Sequence, residues 1–384
     1  MRTGKGVELG PKSRSRRNLL RTGSVIFGAA VLGFGGVMRA ISPGVPAQLL
    51  DASGRPIADS LSEKVFVEIN GTRQGMIIQT TDVTHPVLLF LHGGPGMPEF
   101  FLNTTHPSGL ERDFTVVWWD QRGAGLSFGP DISRDSMTIA QMIADTVAVT
   151  QYLLGRFGQE KVYLLGHSWG SFLGLQVAAA APELFHAYIG MGQVSYQLRS
   201  EVAAHRIMTD QYRARGDIAM VRKLQAAPVS MTQGLSSAYL RLRDEAMHGL
   251  GVGTTRDMAS VITGVFLPVW QCRAYTLREK FRIWQGMRWS RKLLWEDFIT
   301  TDLSTRVREL AVPMYFFTGR YDLTANHDLA AAFFDQISAP VKGFYTFESS
   351  AHSPLFEEPQ RARDILRNDA LAGKSSLADP RPEN

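Results

Sequence analysis

The sequence has 384 residues, of which 44% are hydrophobic and 20% are charged, proportions that are ordinary for a globular protein. Its net charge of +5 is concentrated at the N-terminus. Residues 1–21 hold seven Lys or Arg against one Glu, so the rest of the chain sums to −1 and gives no indication of a nucleic-acid partner. Cys272 is the single cysteine, which excludes an internal disulfide and a cysteine-based metal cluster.

The N-terminal segment has the composition of an export signal. Arg16 and Arg17 precede an apolar run at residues 24–38, which is shorter than the roughly 20 residues that span a bilayer. The segment resembles a twin-arginine signal and contains a small-residue cleavage motif that ends at Ala47. We expect residues 1–47 to direct export across the cytoplasmic membrane to a periplasmic or extracellular location. An N-terminal membrane anchor and a plain disordered tail are the alternatives, and membrane contact is expected only through this segment.

The folded part is predicted to begin near Ser60 with a β-hairpin. Two alternating runs meet at Asn70-Gly71, a dipeptide that favours the tight turn between antiparallel strands. Apolar strands and helical stretches then alternate along the chain. The predicted strands are residues 87–91, 115–119, 162–165 and 187–191, with a helix at 138–157. This alternation predicts an α/β fold, in which helices flank both faces of a mainly parallel sheet.

The alternation stops near residue 193 and resumes at 312. The intervening segment has helical composition, and we predict a helical cap at 193–305 that is inserted into a core formed by residues 60–192 and 306–372. Such a cap would cover the carboxyl ends of the strands. The rest of the core is predicted as strands at 312–318 and 343–347 and helices at 326–337 and from Pro359, and the polar residues 373–384 are predicted to form a disordered tail.

The string Gly-His-Ser-Trp-Gly at residues 166–170 makes Ser168 a candidate nucleophile. Short strings of this kind occur by chance, so the surrounding sequence must decide. A short apolar strand precedes Ser168, and an alanine-rich helix that ends at Pro182 follows it. Strand, sharp turn and helix together form a nucleophile elbow, which projects the serine hydroxyl above the sheet. The alternative is a polar residue in a glycine-rich loop.

A serine nucleophile needs a histidine base and an acid that orients it. In an elbow fold these partners follow later strands in the order Ser, Asp, His. Asp322 follows the strand predicted at 312–318, and His352 follows the strand at 343–347. The alternatives are His327 for the base, and Asp297 or Asp302 for the acid, although neither acid directly follows a core strand.

The predicted hydrolysis also requires hydrogen-bond donors for the oxyanion. The glycine-rich string HGGPG at residues 92–96 follows the strand at 87–91, where the second donor of this fold is expected. We predict an oxyanion hole formed by the backbone amides of Gly94 and Trp169. The alternative is a glycine-rich turn without a catalytic part.

Five segments together resemble the proline iminopeptidase family of the α/β-hydrolases. They are HGGPG at 92–96, WDQRGAGLS at 119–127, GHSWGS at 166–171, GRYD at 319–322 and AHSPLFEEP at 351–359. The resemblance covers about residues 64–367. It implies an α/β-hydrolase fold and a serine peptidase that removes an N-terminal residue, typically proline, from short peptides without a cofactor. His167 departs from the family pattern, which often has glycine there, and matches many esterases of the wider fold.

The resemblance also implies that cap carboxylates bind the substrate amine. Glu201 is the candidate here because it opens the cap soon after a predicted strand, and a solvated helix residue is the alternative interpretation. Aromatic residues of the cap could supply flat walls for a pyrrolidine ring, or could pack a helical core instead. These aromatic residues are Trp270, Trp284, Trp289 and Trp295.

We therefore predict an aminopeptidase that releases N-terminal proline or a similar residue, with a small peptide as substrate and no metal or other cofactor. An esterase or amidase of the same fold that acts on another small substrate is the first alternative. A non-catalytic binding protein on the same scaffold is the second. Epoxide hydrolases and haloalkane dehalogenases are excluded because they need Asp where this chain has Ser168.

Overall fold

The computed structural model describes residues 39–381 together with the isolated residues 1, 3 and 36. Arg16, Arg17 and almost all of the predicted export signal lie outside the described residues. Within the described part of the chain, no helix has both the length and the hydropathy that crossing a bilayer requires. The predicted export and the predicted membrane anchor therefore stay predictions.

An eight-stranded sheet forms the centre of the molecule, with strands in the order β1-β2-β4-β3-β5-β6-β9-β10. Strand β2 is antiparallel to both β1 and β4, and the other neighbours are parallel. The strands are β1 Leu61–Ile69, β2 Thr72–Thr80, β3 Val87–Leu91, β4 Thr115–Asp120, β5 Val162–His167, β6 Phe185–Met191, β9 Met314–Gly319 and β10 Lys342–Phe347. The predicted α/β fold is confirmed.

The central strands are buried on both faces, as their continuous apolar sequences require. In β3, Leu89 and Leu91 pack into one hydrophobic cluster, whereas Leu88 and Phe90 pack into another on the opposite face. Alternate side chains of a strand point to opposite faces, so a strand covered on both sides needs apolar residues throughout. The carboxyl ends of the parallel strands therefore meet at one edge, where the loops carry the polar residues.

Local signals in the sequence account for the first elements. Asn70 and Gly71 have φ values of 47° and 74°, the backbone that a two-residue hairpin turn needs between β1 and β2. Thr138 caps the helix Ile139–Phe157 by accepting a hydrogen bond from the amide of Gln141. The predicted hairpin and this helix are both confirmed.

Helices flank the sheet and fill the segment between β6 and β9. The core helices are Phe100–Thr105, Ile139–Phe157, Trp169–Ala180, His327–Gln336, Pro354–Glu357 and Pro359–Ile365. Between β6 and β9 lie the helices Gln197–Ala214, Ile218–Gln225, Ser237–Leu250, Leu267–Gln271 and Leu277–Thr300, with a π-helical turn Ile262–Phe266 and the short strands β7 Val229–Ser230 and β8 Gly234–Leu235. This inserted segment has an apolar cluster of its own, built around residues such as Met208, Leu224 and Tyr239.

Two predicted boundaries are wrong. Chain before Ser60 already packs on the inserted segment, since the amide of Gly44 donates to the carbonyl of Arg273 and Pro43 bridges Thr276. The predicted disordered tail 373–384 is anchored as far as Arg381. The amide of Asp379 bonds the carbonyl of Phe344 at the edge strand β10, because an edge strand has unpaired backbone groups that a polar tail can satisfy.

Candidate active site

Ser168 lies on a sharp turn between β5 and the helix Trp169–Ala180. Its φ of 55° and ψ of −117° fall in a region that non-glycine residues rarely adopt, as expected of a nucleophile elbow. The turn needs glycine beside it. A β-carbon on Gly170 would lie 1.9 Å from the carbonyl oxygen of Leu91, so only glycine lets the helix approach β3 this closely. The sequence around Ser168 therefore folds into the predicted strand, turn and helix.

His352 and Asp322 form a buried pair at the carboxyl ends of β10 and β9. Nδ1 of His352 lies 2.8 Å from Oδ2 of Asp322. The other oxygen, Oδ1, accepts hydrogen bonds from the amides of Thr324 and Ala325 at 2.8 and 2.9 Å. The Asp322 carboxylate is thus fixed by backbone donors and in turn fixes the imidazole. Because carboxylates accept, Nδ1 of His352 is the donor and Nε2 faces the other way.

Nε2 of His352 is buried and has no hydrogen-bond partner among the described residues. Both His352 and Ser168 line a cavity of about 240 Å³ between the sheet edge and the inserted helices. Buried nitrogen atoms are normally paired, so an unpaired one that lines a cavity marks a position for a reacting group. The hydrogen bond between a catalytic nucleophile and its base is often long in the absence of substrate and shortens when substrate binds.

The loop after β3 lies close to Ser168. A β-carbon built on Gly93 would lie 3.3 Å from Cβ of Ser168. Gly94 lines the cavity together with Ser168, and Trp169 is the first residue of its helix, where the amide has no intrahelical acceptor. The two residues predicted as oxyanion donors therefore flank the serine.

Two hydrogen bonds of the His92 ring link this loop to Gln121, the residue that follows β4. Its Nδ1 donates to the carbonyl of Gly93 at 2.8 Å, and its Nε2 accepts from the amide of Gln121 at 3.1 Å. These two roles require the neutral imidazole. Burial lowers the pKa of His92 to about 4, which is consistent with a ring that stays neutral.

A buried ion pair beside Ser168 was not predicted from the sequence. Nδ1 of His167 lies 2.9 Å from both carboxylate oxygens of Glu99, and Nε2 of His167 lies 2.8 Å from the carbonyl oxygen of His352. Both ring nitrogens of His167 face acceptors, so both carry protons. Burial lowers the pKa of His167, but the Glu99 carboxylate and the His352 carbonyl outweigh it and shift this pKa upward.

Glu99 also joins this ion pair to the loop after β3. Its Oε1 accepts the amide of Gly93 at 3.0 Å, so one carboxylate contacts the loop at Gly93 and the ring that supports His352. The one sign of this ion pair in the sequence was His167, which stands where the family often has glycine. Its partner could not be identified, because Glu99 is 68 positions away in the sequence.

Glu201 does not line the cavity, which corrects the predicted amine-binding role. Its side chain is fully buried, and both carboxylate oxygens lie 2.9 Å from Nε of Arg243. The hydroxyl of Tyr239 and the amide nitrogen of Gln197 donate the remaining hydrogen bonds, at 2.8 and 2.9 Å. The Glu201 charge is therefore offset inside the protein. Asp244, next to Arg243, lines the cavity instead.

The tryptophans of the inserted segment do not line this cavity either. Trp284 and Trp289 line a separate groove, and Trp270 packs on Phe281 with ring centroids 5.0 Å apart. Trp295 packs on Phe298 of the same helix. The expectation that these rings form walls for a pyrrolidine ring is therefore wrong, because none of the four tryptophans lines the cavity that contains Ser168. The cavity walls contain Met97, Phe101, Leu102 and Met247.

The alternative acids and base have other partners. Asp302 caps a short helical turn by accepting the amide of Ser304 at 2.9 Å, and His327 pairs with Thr346 and Asp328. The side chain of Asp297 is exposed on the helix Leu277–Thr300 and does not line the cavity. Across the described residues, no group of three or more His, Cys, Asp or Glu side chains is arranged to bind a metal ion.

A family model and a curated relative match most of this chain. The model of a family described as alpha/beta hydrolase fold matches residues 86–359. The chain is 35% identical over 318 residues to a Bacillus subtilis (strain 168) protein named "Probable aminopeptidase YbaC", covering 82% of this chain and 98% of that relative. It is 37% identical over 120 residues to a proline iminopeptidase of Thermoplasma volcanium, covering 31% of this chain and 38% of that relative.

Solved structures show the same fold at lower identity. The proline iminopeptidase of Mycobacterium smegmatis aligns with a TM-score of 0.56 and 21% identity, over 81% of this chain and 100% of that one. A proline iminopeptidase-related protein of Thermus thermophilus aligns with a TM-score of 0.56 and 17% identity, over 81% of this chain and 98% of that one.

Proposed function

Because this chain belongs to the α/β-hydrolase family, we propose that it is a serine hydrolase whose catalytic triad is Ser168, His352 and Asp322. The observation that carries the proposal is the arrangement around one cavity. Ser168 lies on the strained turn, Nε2 of His352 has no other partner among the described residues, and Asp322 fixes the far side of the imidazole. The family relationship supports the same assignment.

The geometry is suited to acyl transfer in two steps. His352 takes the hydroxyl proton through Nε2 while Oγ of Ser168 attacks the carbonyl carbon of the scissile bond. The same proton then passes from His352 to the leaving amine, and an ester bond to Ser168 remains. Water, deprotonated by His352, cleaves that ester and restores the hydroxyl. Asp322 stabilises the imidazolium in both steps.

The amides of Gly94 and Trp169 are proposed to stabilise the oxyanion. Negative charge develops on the carbonyl oxygen when Ser168 attacks, and preorganised amides in a site shielded from water stabilise that charge strongly. The positions of both residues beside Ser168 support this role.

We propose an aminopeptidase that releases a small N-terminal residue, such as proline, from short peptides. The relative from Bacillus subtilis, which is named as a probable aminopeptidase, supports this reaction class. The cavity of about 240 Å³ lies below the roughly 300–1,000 Å³ of pockets for drug-sized ligands, so it suits a single small acyl unit. Apolar walls such as Leu102 and Met247 suit a pyrrolidine ring.

Asp244 is proposed to bind the substrate ammonium in place of Glu201. Glu99 and Glu201 are already paired with His167 and Arg243, whereas Asp244 lines the cavity with a side chain that is 58% exposed. Nη1 of Arg243 is its only ion-pair contact within the described residues, at 3.3 Å. Asp244 thus has acceptor capacity left for an amine that enters the cavity.

Three substrates on one preparation test the reaction class: proline anilide, its N-acetyl form and a short acyl ester. A partly desolvated ion pair contributes about 2–5 kcal/mol, so acetylation of the proline nitrogen should lower kcat/KM by at least about 30-fold. Equal rates on the free and acetylated anilides, or turnover of the ester alone, would favour a capped serine esterase.

Asp244→Asn tests the amine site separately. The variant should lower kcat/KM for free proline anilide by about tenfold or more and leave ester hydrolysis unchanged, because an ester has no ammonium group. Asp210→Asn is the matched control, since Asp210 is an exposed cap aspartate that pairs with Arg213. An equal change of kcat/KM in the two variants would show that Asp244 does not bind the substrate ammonium.

We also propose that residues 1–47 direct export through a twin-arginine route. The paired arginines before an apolar run support this assignment. Replacing Arg16→Lys and Arg17→Lys together should retain the protein in the cytoplasm, whereas Arg2→Lys should not. If export persists in the double variant, the twin-arginine assignment is wrong, and the segment is a general secretory signal or an anchor.

A further inference from the structure

The helix Leu277–Thr300 presents a positively charged face to a groove of about 1510 Å³ that is separate from the catalytic cavity. The face, here called the basic face, consists of Arg278, Phe281, Arg282, Arg288, Trp289 and Lys292. Together with Gln285, which also lines the groove, the series 278, 281, 285, 288 and 292 advances by three or four residues, so these positions lie on one side of the helix and Arg282 and Trp289 adjoin them.

Positive charge on the basic face is not neutralised locally. No Asp or Glu lines the groove, and none of the four cationic side chains of the basic face makes an ion pair with another described residue. The chain from residue 22 onward sums to about −1, so four such cations on one helix face are a local concentration of charge. A surface of this kind attracts anions.

An exposed apolar patch adjoins the basic face. The side chain of Phe281 is 53% exposed, and those of Ile262, Phe266 and Leu267 are 65%, 43% and 44% exposed. Phe266 contacts the ring of Trp284, with centroids 5.4 Å apart, and Trp284 lines the same groove. Large apolar side chains are therefore clustered beside the cations rather than scattered.

The segment that carries Ile262 and Phe266 also forms part of the roof of the catalytic cavity. Val261 and Val265 line the cavity, whereas Ile262 and Phe266 on the next positions are exposed to solvent. Residues 261–271, here called the roof segment, therefore have an apolar inner side over Ser168 and an apolar outer side. An outer side of this composition needs a covering surface, because large contiguous apolar patches on a protein usually mark interaction sites.

We propose that the basic face and the outer side of the roof segment together dock on an anionic phospholipid bilayer. A bilayer takes both parts of the surface, since its headgroups attract Arg and Lys while aromatic and aliphatic side chains enter the boundary with the acyl chains. Nucleic acid would satisfy the cations but would leave Ile262 and Leu267 in water. The inference rests on the surface and does not depend on the proposed peptidase chemistry.

The position of the N-terminal chain agrees with this partner. Arg39, Ser42 and Pro43 line the groove, and the apolar run 24–38 precedes them directly in the sequence. A membrane contact of residues 24–38 would therefore bring the groove close to the bilayer, because the chain enters the groove at Arg39. Docking would then orient the cavity roof toward the lipid.

A dye at residue 281 of the full chain tests the docking directly. Cys272 is the only cysteine and is buried, so Cys272→Ala with Phe281→Cys gives one labelling site for an environment-sensitive fluorophore. On vesicles of phosphatidylcholine with one-third phosphatidylglycerol, the emission should shift to the blue and rise about twofold or more. Vesicles of phosphatidylcholine alone, or high salt, should give little change, because the attraction is electrostatic.

The matched control carries the dye at Ile218, which is 51% exposed on the cap helix Ile218–Gln225 and does not line the groove. It should stay in water on the same vesicles. The proposal is overturned if both positions respond alike or neither responds. It is also overturned if residue 281 is shielded without vesicles, as when residues 24–38 of the same molecule fill the groove. An equal response to an oligonucleotide would assign the surface to nucleic acid instead.

Charge reversal gives a second measurement that keeps Phe281 in place. Arg282→Glu with Arg288→Glu should weaken sedimentation with the anionic vesicles by at least about tenfold. Arg222→Glu with Arg306→Glu reverses two exposed cations that do not line the groove and should have no such effect. Neither pair lines the catalytic cavity, so labelling of the serine by a fluorophosphonate should remain and report that both variants fold. Equal sedimentation of the two double variants would contradict the proposal.

Discussion

The imidazole of His167 and the carboxylate of Glu99 form a buried ion pair directly beside Ser168, with Nδ1 2.9 Å from both carboxylate oxygens. The second ring nitrogen of His167 bonds the carbonyl of His352. Through Glu99 the same pair contacts the amide of Gly93. Three loops that carry the proposed catalytic groups therefore share one charged contact.

Replacing Glu99→Gln should destabilise the protein most at low pH. The pKa of His167 is raised in the folded protein, so this group stabilises the fold below about pH 6.5, and that contribution is lost as pH rises through the folded pKa. Breaking a buried pair typically costs about 3–5 kcal/mol. Chemical denaturation across pH 5.5–9 measures the effect, with Glu68→Gln on the exposed surface of β1 as control. A pH-independent difference between Glu99→Gln and wild type would contradict a charged His167.

Gly192→Ala should impair catalysis more than folding. Gly192 has a φ of 53°, and a β-carbon there would lie 2.8 Å from Cε1 of His352, so the imidazole must move. A shift of about 1 Å in a catalytic group can cost about 10²-fold in rate. Gly158→Ala is the matched control, because its φ is 64° and no atom lies within 4 Å of the added carbon.

Both glycine variants carry a similar backbone strain of about 1 kcal/mol. Gly192→Ala also carries the close contact with His352, so its melting temperature should fall at least as far as that of Gly158→Ala, while kcat falls only in Gly192→Ala. An equal kcat in the two variants would show that the ring of His352 tolerates the displacement.

Asp120 should make the stability of the protein fall as pH rises toward 8. Burial raises the pKa of Asp120 to about 8, against the hydrogen bonds donated by Leu126 and Tyr275. Stability from a group with a raised pKa is present below its unfolded value and is lost as pH rises through the folded value. Asp120 therefore contributes a decline of at most about 1.4 kcal/mol per pH unit between about pH 4 and 8.

Asp120→Asn should remove that part of the decline between pH 5 and 8, measured as the free energy of unfolding in denaturant. Asp131→Asn, at an exposed loop position, should keep the wild-type slope. If wild type and Asp120→Asn show parallel pH profiles, the carboxyl group of Asp120 is ionised throughout this range.

Asp322→Asn and His352→Ala should each lower kcat by about 10³-fold or more, because the base and its orienting acid act as one unit. Asp302→Asn is the control for the alternative acid, since Asp302 caps a helical turn and should affect stability alone. Steady-state kinetics on the preferred anilide gives the comparison. A severe loss in Asp302→Asn with a mild one in Asp322→Asn would reassign the acid.

Local patterns in the sequence were sufficient for the fold. The Asn70-Gly71 turn, the capping Thr138 and the apolar strand before Ser168 each depend on neighbouring residues, and the structure contains all three. The meeting of Ser168, Asp322 and His352 could also be predicted, because each follows a parallel strand and these strands end at one edge of the sheet. The structure brings Asp322 and His352 together at that edge.

Contacts between distant segments could not be read from local pattern. Glu201 was a candidate for the substrate amine because it opens the inserted segment soon after a strand, but Arg243 neutralises it from another helix. Net charge likewise concealed the basic face, since acidic residues elsewhere cancel Arg282 and Arg288 in the sum. The tail to Arg381 is polar, yet hydrogen bonds to β10 anchor it.

Mapping the site of a fluorophosphonate adduct tests the central claim most directly. This probe forms a covalent bond only with an activated serine, and mass spectrometry of the digested protein identifies the labelled residue. We predict a single adduct on the peptide that contains Ser168, and none in Ser168→Ala, which changes little else in volume. An adduct on another serine, or an active enzyme that takes up no probe, would contradict a nucleophile at Ser168.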